Sequence, residues 1–551
     1  PGARGRAAMG CSNSAHASAA PAGQGAEAAA DASNKLGKYE DPRTLIDILR
    51  QQDVRLVKSQ FLIDYVKNGK EPLPCRQDLP EHAFLDVEEL GPQGCQELRI
   101  ISISYCWGSK VHPDPRREHL ITLAALLELY CQSCQDDVPL GEKVKFEDCD
   151  ADFGGKGKTV AVFFDWCSLF QDPPEQPRTE EQTKSFKAAL KSINVWYAHR
   201  QSTTWMFTYV PEGSQRATYE QSGWTYFERT VSSIMTPTYN QLRIDADNRL
   251  KIPEFKTYYK YAEAFVDTGR TGPIIPADFD KEVGGKTFTN GSDKDAVVKP
   301  NYSELFGEVL EQARSLDLGA IGLDTAGGSQ VLRAIEGYAK RLRVLSLVNN
   351  SGIVIDANEL RVLRQLSDLN LKGCSGLNGD VAVFSDFPDL ERLSITGCEA
   401  LFGNVSAFSR LQKLKRLGLC SGVTGNLSSL SGLVNLQELH LFLCASLSGD
   451  LSAIAGLKQL KDVMLTYCSG VSGDISTLAG LLKLEHWDAS GCGLRGDVSV
   501  FARLEQLKRV DVSGCAGLSG DVSAFAGLRK LARLNLTGCD GLAGDRNALW
   551  R

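Results

Sequence analysis

The stretch Leu366-Ser-Asp-Leu369-Asn-Leu371-Lys-Gly-Cys374 has the pattern LxxLxLxxC, which recurs through the last two-fifths of the chain. Alternating leucines on a short strand point to one side, and a single copy cannot bury that side alone. Nine stacked copies can, so residues 342–551 are predicted to form a solenoid with an Asn or Cys side chain inside each coil. The other copies, some with substituted inner leucines, are Leu342–Asn350, Leu390–Cys398, a shortened one ending at Cys420, Leu436–Cys444, Leu460–Cys468, Leu484–Cys492, Leu507–Cys515 and Leu531–Cys539.

These repeats resemble plant-type leucine-rich repeats. Successive cysteines are 22 to 24 residues apart, and most are followed by a motif close to C-x-G-L-x-G-D, as in Cys515-Ala-Gly-Leu-Ser-Gly520-Asp521. The sequence has "GDVS" where that class usually has "GxIP". The resemblance implies a curved surface that binds a protein or peptide partner.

The exposed strand positions of the repeats carry charges of both signs. Together with a net charge of −7 and a pI near 5.7, this mixture gives no reason to expect a nucleic-acid partner. An alternative to a binding role is an ordinary variable surface. Five side chains suited to a protein contact are expected to lie close together in the middle of the solenoid: His440, Phe442, Met464, Tyr467 and His486.

The length and the cysteine pattern indicate a multidomain protein of a reducing compartment. At 551 residues the chain is too long for one core, and about three folding units are expected. It has no apolar run of the roughly 18–20 residues that a membrane-spanning helix needs. Eight of its 16 cysteines recur at equivalent repeat positions, where they fill the same place in successive coils. This pattern favours free thiols and a cytoplasmic location.

Residues 1–40 are rich in Ala, Gly and Ser and are predicted to be a disordered leader. Within them, Met9-Gly10-Cys11-Ser12-Asn13-Ser14 matches the N-myristoylation pattern, with Gly10 as acceptor, and places Cys11 for palmitoylation. Two acyl chains anchor a protein stably, so a start at Met9 predicts attachment to the cytoplasmic face of a membrane. The sequence begins at Pro1, and the alternatives are a chance match in a low-complexity leader or a transit peptide.

The region between the leader and the repeats alternates strands with helices. Residues 41–95 have helical spacing broken by prolines, and strands are then predicted at 98–105, 159–164 and 204–210. This order implies an α/β domain over 96–310, with a parallel sheet and helices on both faces. A linker and solenoid cap are predicted over 311–341. The predicted helices begin near Glu118, at a capping box formed by Thr179 and Gln182, and at Ser222 or Gly223.

Polar and aromatic residues follow the strands of this predicted sheet. Residues 105–110 follow the first strand, residues 165–168 follow the second, and Glu228 falls in the first turns of the last helix. Ligands bind beyond the carboxyl ends of the strands in such sheets, so we expect these residues to surround a ligand site. The alternative for Glu228 is an acid that only stabilises the start of its helix.

Three segments of this region are similar to heterokaryon-incompatibility (HET) domains, which resemble TIR domains. They are Ile103–Ser109 (ISYCWGS), Val162–Leu169 (VFFDWCSL) and Gly223–Glu228 (GWTYFE), and the resemblance covers about residues 98–235. It implies a flavodoxin-like fold. The long insertion between Leu120 and Lys158 departs from the family pattern.

The TIR resemblance implies an NAD glycohydrolase, for which NAD is the substrate. TIR domains that cleave NAD carry a W-C-x-x-E segment, and Trp224 and Glu228 match its spacing with Thr225 in the cysteine position. The resemblance gives Glu228 the role of stabilising an oxocarbenium-like transition state. Two alternatives without catalysis stay open: an adaptor that self-associates through the α/β domain, and a lipid-anchored scaffold. The NAD contacts implied are the rings of Tyr105, Trp107, Trp166 and Trp224 and the polar groups of Asp165 and Ser168.

Two other motifs are set aside. The segment 154–159 lacks the first glycine of a phosphate-binding loop and precedes a strand instead of following one. Cys131 and Cys134 form a single CxxC with no second pair, so no zinc site or other metal site is predicted.

Overall fold

The computed structural model describes residues 38–39, 41–90, 94, 96–109, 111–135, 159–173, 175–210, 218–235, 241–265, 270–288 and 290–545. The predicted lipidation sites Gly10 and Cys11 lie outside these residues, as do residues 136–158 of the insertion. Within the described ranges, every helix is too short or too polar to cross a lipid bilayer.

Between residues 41 and 312, the described parts of the chain fold as helices around a five-stranded sheet. The strands are β1 (Val57–Lys58), β2 (Arg99–Tyr105), β3 (Val160–Phe163), β4 (Ser202–Phe207) and β5 (Gln241–Ile244). The helices are α1 (Pro42–Arg50), α2 (Ser59–Asn68), α3 (Glu118–Gln135), α4 (Asp165–Ser168), α5 (Glu180–Lys191), α6 (Ile193–Ala198), α7 (Gly223–Met235), α8 (Tyr258–Phe265), α9 (Pro276–Gly284) and α10 (Lys299–Gln312), the last preceded by a π turn, Lys294–Val298. Short 3-10 turns lie at Arg76–Asp78, Glu81–Ala83, Glu88–Leu90, Tyr219–Gln221 and Asn248–Glu254.

The sheet has the order β1-β3-β2-β4-β5, in which β2 to β5 are parallel and β1 is an antiparallel edge strand. Alternate side chains of β2 enter different cores, since Ile100 belongs to one buried cluster and Ile101 and Ile103 to another. The predicted parallel sheet is therefore present, with a core on each face. The 41–95 segment, predicted as helical, also supplies the edge strand β1.

The repeats form two parallel sheets that run the length of the solenoid. In the described residues, the first contains β6 (Ser315–Asp317), β7 (Val344–Ser346), β8 (Asp368–Asn370), β10 (Arg392–Ser394), β12 (Arg416–Leu419), β14 (Glu438–Leu441), β16 (Asp462–Met464), β18 (His486–Asp488), β20 (Arg509–Asp511) and β22 (Arg533–Asn535). The second contains β9 (Gly379–Asp380), β11 (Leu401–Asn404), β13 (Val423–Asn426), β15 (Leu447–Asp450), β17 (Val471–Asp474), β19 (Gly493–Asp497), β21 (Gly517–Asp521) and β23 (Leu542–Ala543).

Helical segments complete the coils. Helix α11 (Thr325–Tyr338) follows β6, and each later coil up to that of β20 has a 3-10 segment in the equivalent place. These segments are Ala357–Leu363, Val381–Asp386, Val405–Phe408, Leu427–Leu430, Leu451–Ile454, Ile475–Gly480, Val498–Arg503 and Val522–Phe525.

The Asn or Cys side chain of each repeat lies inside the coil, as predicted. The thiols of Cys374 and Cys398 donate hydrogen bonds to the backbone carbonyls of Leu347 and Leu371 in the preceding coil, each at 3.0 Å. Asn350, which occupies the same position in the first copy, donates from Nδ2 to the Leu318 carbonyl at 2.8 Å. The described cysteines are free thiols.

The Gly-Asp pair of the second motif turns the chain from the second sheet into the 3-10 segment. In one repeat, Gly473 has φ of 126°, and a Cβ atom at that position would lie 2.8 Å from the Asp450 carboxylate of the preceding coil. Asp474 then accepts a hydrogen bond from the backbone N–H of Ser476 at 2.8 Å. The aspartate is thus the N-cap of the 3-10 segment, which explains why a short polar side chain recurs there.

The α/β domain and the solenoid share one core. Strand β6 pairs in parallel with β7, so the range 311–341, predicted as a linker and cap, contributes both the first strand of the repeat sheet and α11. A continuous cluster of buried side chains extends from α1 through α10 to the last described repeat. At this junction the buried guanidinium of Arg270 donates to the carbonyl of Ser233 in α7, at 2.8 and 3.1 Å, and to that of Asp317 in β6, at 3.0 Å.

Candidate functional site

A cleft of about 470 Å³ opens at the carboxyl ends of the parallel strands. Residues after β2 and β3 form one side, α5 and α6 form another, and the start of α7 carries Glu228. Its lining combines aromatic rings, aliphatic side chains and three acidic groups, those of Asp165, Glu228 and Asp293. The lining residues are Tyr105, Cys106, Trp107, Asp165, Leu169, Gln171, Arg178, Phe186, Leu190, Ile193, Ser222, Trp224, Glu228, Thr287, Phe288 and Asp293.

Glu228 is partly exposed to this cleft and is held by hydroxyl groups. Ser104 Oγ donates to Glu228 Oε2 at 2.6 Å, and the same hydroxyl lies 2.8 Å from the Tyr219 hydroxyl. Burial raises the pKa of Glu228 well above its usual value, and the nearby Asp165 charge adds to the rise. Hydrogen bonds from Ser104 and Tyr197 oppose it. Among the described residues, no arginine forms an ion pair with this carboxyl group.

Asp165 begins α4 and is oriented by three donors. The Tyr105 hydroxyl donates to Oδ1 at 2.8 Å, Trp107 Nε1 donates to Oδ2 at 3.0 Å, and the backbone N–H of Trp166 donates to Oδ1 at 2.6 Å. Burial raises the pKa of Asp165, and these hydrogen bonds oppose that rise. The geometry fixes one carboxyl group beside the two aromatic rings that follow β2.

The structure brings five of the seven predicted cleft residues together and places two elsewhere. Trp166 is buried, and its Nε1 donates to the Leu73 carbonyl at 2.8 Å. Ser168 is also buried, and its hydroxyl accepts from the backbone N–H of Phe164 at 3.0 Å. Neither side chain lines the cleft, because α4 turns both away from it. The residues that do line it are Tyr105, Trp107, Asp165, Trp224 and Glu228.

Other residues that line the cleft were not predicted from the sequence. Arg178 packs its guanidinium 3.5 Å from the centre of the Phe186 ring and donates from Nε to the Phe170 carbonyl at 2.9 Å. Phe288 comes from the segment after α9 and packs on Gly223, where any Cβ would lie within 2.1 Å of its ring. The apolar spacing of α5 gave a signal for Phe186. Phe288 lies 65 residues after Gly223, and no spacing in the sequence indicates that it contributes to the cleft.

The five predicted partner-binding residues lie on neighbouring coils of the first repeat sheet. His440 and Met464 are paired across β14 and β16, and His486 lies on the next strand, β18. Phe442 and Tyr467 follow their strands and are 44% and 59% exposed. Their role in binding remains a prediction, but the fold does assemble them into one surface.

An aspartate joins the two histidines of this surface. Asp462 Oδ1 lies 3.4 Å from His440 Nε2, and Asp462 Oδ2 lies 3.0 Å from His486 Nδ1. Burial raises the pKa of Asp462, but the nearby His440 and the hydrogen bond with His486 outweigh burial, and the net effect is a lowered pKa. The carboxylate on β16 therefore lies between two histidine rings on its neighbouring strands, β14 and β18.

No protein-family model and no curated protein matches this chain. Among solved structures, internalin C2 from Listeria monocytogenes is 27% identical over 37% of this chain and 84% of its own, with a TM-score of 0.29. The Arabidopsis receptor kinase HAESA, in complex with the peptide hormone IDA and the co-receptor SERK1, is 21% identical over 40% of this chain and 45% of its own, with a TM-score of 0.32.

A leucine-rich-repeat protein from Leptospira interrogans is 18% identical over 44% of this chain and 81% of its own, with a TM-score of 0.25. The architecture of the present chain follows from its own stacked strands and repeated core. Residues 315–545 form a leucine-rich-repeat solenoid.

Proposed function

We propose that this chain is a recognition protein in which the repeats bind a protein or peptide partner and the α/β domain acts as an effector that cleaves NAD. The observation that carries the enzymatic part is that Glu228 opens into a cleft of about 470 Å³ beside Asp165 and several aromatic rings. Such a cleft is large enough for a nucleotide-sized ligand.

The sheet order supports the resemblance to TIR and HET domains. Counted from β2, the parallel strands have the order 2-1-3-4, which agrees with the flavodoxin-like order. In that arrangement ligands bind where the direction of winding reverses, beside the first and third strands. The cleft lies there, since Tyr105 ends β2 and Glu228 lies in the helix that follows β4.

The proposed reaction breaks the bond between nicotinamide and ribose. Trp107 and Trp224 offer ring faces to the nicotinamide or the adenine, and Asp165 offers carboxylate lone pairs to a ribose hydroxyl. The positive charge of the nicotinamide ring favours the ionised form of Glu228, which burial alone disfavours. As nicotinamide leaves with the bonding electron pair, the Glu228 carboxylate stabilises the positive charge on the ribose. A water molecule then adds to the ribose carbon and releases a proton.

The test is NAD turnover by the full chain, followed as released nicotinamide and ADP-ribose. Glu228→Gln keeps the size of the side chain but removes its charge, and we expect turnover to fall by about 100-fold or more. Glu254→Gln, an exposed position outside the cleft, is the matched control and should retain activity. Absence of turnover in the wild type at high protein concentration would refute the enzymatic proposal.

A scaffold without catalysis is the second candidate, and the shared core favours it. Because the repeats and the α/β domain pack as one body, the domain can hold the repeat surface rigidly without any chemistry. Self-association through the α/β domain and lipid anchoring at Gly10 and Cys11 on the cytoplasmic face of a membrane belong to this candidate as well. Labelling with a myristate analogue in cells, compared between the wild type and Gly10→Ala, tests the anchor.

A further inference from the structure

One position of the repeat is occupied by glycine in most coils and by large apolar residues in two adjacent coils. This position precedes the buried Asn or Cys and has a left-handed backbone in every copy except the shortened one, where Leu419 precedes Cys420. It is Leu443, with φ of 55°, in one coil and Tyr467, with φ of 58°, in the next. Asn349 occupies it in the first copy, and glycine with φ between 71° and 77° occupies it at Gly373, Gly397, Gly491, Gly514 and Gly538.

Large side chains are unfavourable at such a position, and here they add little buried area that would stabilise the fold. A left-handed backbone costs free energy for any residue with a bulky side chain. Burial does not offset that cost, because Leu443 is 48% exposed and Tyr467 is 59% exposed. Phe442, beside Leu443, is 44% exposed. We refer to Phe442, Leu443 and Tyr467 as the apolar ridge.

A cavity on the same sheet, next to the apolar ridge, has a formal excess of one positive charge, and we refer to it as the basic cavity. Lys508, Arg509 and Arg533 line it together with Asp462 and Asp488. The cavity has a volume of about 280 Å³. Met464 lines its edge on the side of the ridge. Arg509 and Arg533 are paired in register on β20 and β22 and both line it. Asp488, 3.8 Å from Arg509, balances one of these charges.

The charge balance changes along the solenoid. Earlier arginines on the first sheet are paired with acids on adjacent strands, as Arg392 is with Asp368 at 2.6 Å and Arg416 with Glu438 at 2.5 Å. Among the residues that the structure describes, Arg533 has no acidic partner. Lys508 also lines the cavity but is paired with Glu485, so among the described residues Arg533 is the cation of the cavity that lacks an acidic partner and is available to a ligand that crosses the strands.

We infer that the apolar ridge and the basic cavity together bind a peptide segment of a partner protein in which large apolar side chains lie next to acidic residues. This inference rests on the proposed role of the repeats in partner recognition. From β14 to β22 there are four strand spacings of about 4.8 Å, or about 19 Å, which an extended segment of about six residues spans. The apolar side chains pack on the ridge, and the carboxylates bind Arg509 and Arg533. The acids Asp462 and Asp488 in the same cavity disfavour a polyanion such as nucleic acid.

The first test separates a binding role of the ridge from a structural one. Leu443→Gly combined with Tyr467→Gly restores the residue that other coils use, so we expect the thermal midpoint of the full chain to stay unchanged or rise. A lowered midpoint would show that these side chains serve the fold and would overturn the inference.

The second test uses a displayed library of random twelve-residue peptides, selected on the full-length wild-type chain. Selected peptides should be enriched in apolar residues next to Asp or Glu. Their affinity should fall at least tenfold in the double glycine variant, and likewise in Arg509→Gln combined with Arg533→Gln. Arg410→Gln, exposed and outside both features, is the control and should bind as the wild type does.

The outcomes distinguish this inference from the broader proposal. Selected peptides whose binding is unaffected by either double variant would leave recognition by the repeats in place and overturn the site. A library that yields no binder would count against both. Concentration-dependent dimerisation that disappears in the double glycine variant would show that the ridge binds a second copy of the chain, which also overturns the inference.

Discussion

At the scale of single residues, two of the carboxyl groups that line the cleft, Asp165 and Glu228, lie in different surroundings. Asp165 is held by three donors, whereas Glu228 is held by hydroxyl groups and is close enough to Asp165 to be affected by its charge. Burial raises the pKa of both. Two neighbouring acids that resist ionisation are a costly arrangement for a purely structural site, and perturbed carboxyl groups of this kind cluster at functional sites.

The raised pKa of Glu228 predicts a pH-dependent stability. Above the usual pKa of 4.5, the unfolded chain ionises this carboxyl group more readily than the folded chain, so the folded state loses stability as the pH rises towards the raised pKa. Glu228→Gln removes this loss. Urea unfolding should show the variant to be more stable than the wild type near pH 8, with the difference vanishing as the pH falls to about 4.5. Glu254→Gln should not differ from the wild type at any pH, and a constant difference for Glu228→Gln would contradict the assignment.

At the scale of elements, the strands and coils that could be predicted were those whose apolar residues recur at a regular spacing. The LxL strands repeat and alternate, so the position of each coil and the burial of its cysteine follow from the pattern. Strand β1 has two residues and β6 has three, which is too short to show any period. In the cleft, the residues after β2 and β3 were predictable because parallel strands end at one edge. Phe288 was not, because only tertiary packing on Gly223 brings it there.

The buried thiols predict a specific energetic cost. Cys398→Ala removes the hydrogen bond to the Leu371 carbonyl and leaves a small cavity, so the free energy of unfolding should fall by about 1–2 kcal/mol. Ser409→Ala is the matched control, since it removes an exposed hydrogen bond to the Ser406 carbonyl in the next 3-10 segment and should change stability by less than about 0.5 kcal/mol. Chemical denaturation of both variants measures this difference. Equal stabilities would mean that neither the hydrogen bond nor the packing of the thiol contributes measurably.

At the scale of the whole molecule, the helix that carries Glu228 is tied to the first strand of the repeats. Arg270 donates to carbonyl groups of Ser233 in α7 and Asp317 in β6, and burial lowers its pKa to about 10, so it remains charged at neutral pH. Hydrogen bonds from a charged donor contribute about 1.5–3 kcal/mol. The helix that carries Glu228 and the strands of the repeats are therefore joined through Arg270.

Loss of the Arg270 guanidinium should destabilise both α7 and β6, the two elements that it joins. Arg270→Leu is expected to lower the free energy of unfolding by about 1.5–3 kcal/mol. Hydrogen–deuterium exchange should speed up both at the end of α7 and in β6. Arg333→Leu, which removes an exposed ion pair with Asp278, is the control and should leave exchange in both elements unchanged. Faster exchange on one side only would show that the two parts are not coupled through Arg270.

The shared core also determines where this protein can be divided. A cut after α11 would separate β6 and α11 from the coils they cover, and a cut before β6 would leave α10 with an uncovered apolar face. Transplanting the repeats onto another domain thus requires carrying α10 along. A join between two later coils is different, since each coil presents its neighbour with the same kind of leucine face. A fusion point for protein engineering is therefore better placed between two coils of the solenoid than between the α/β domain and the repeats.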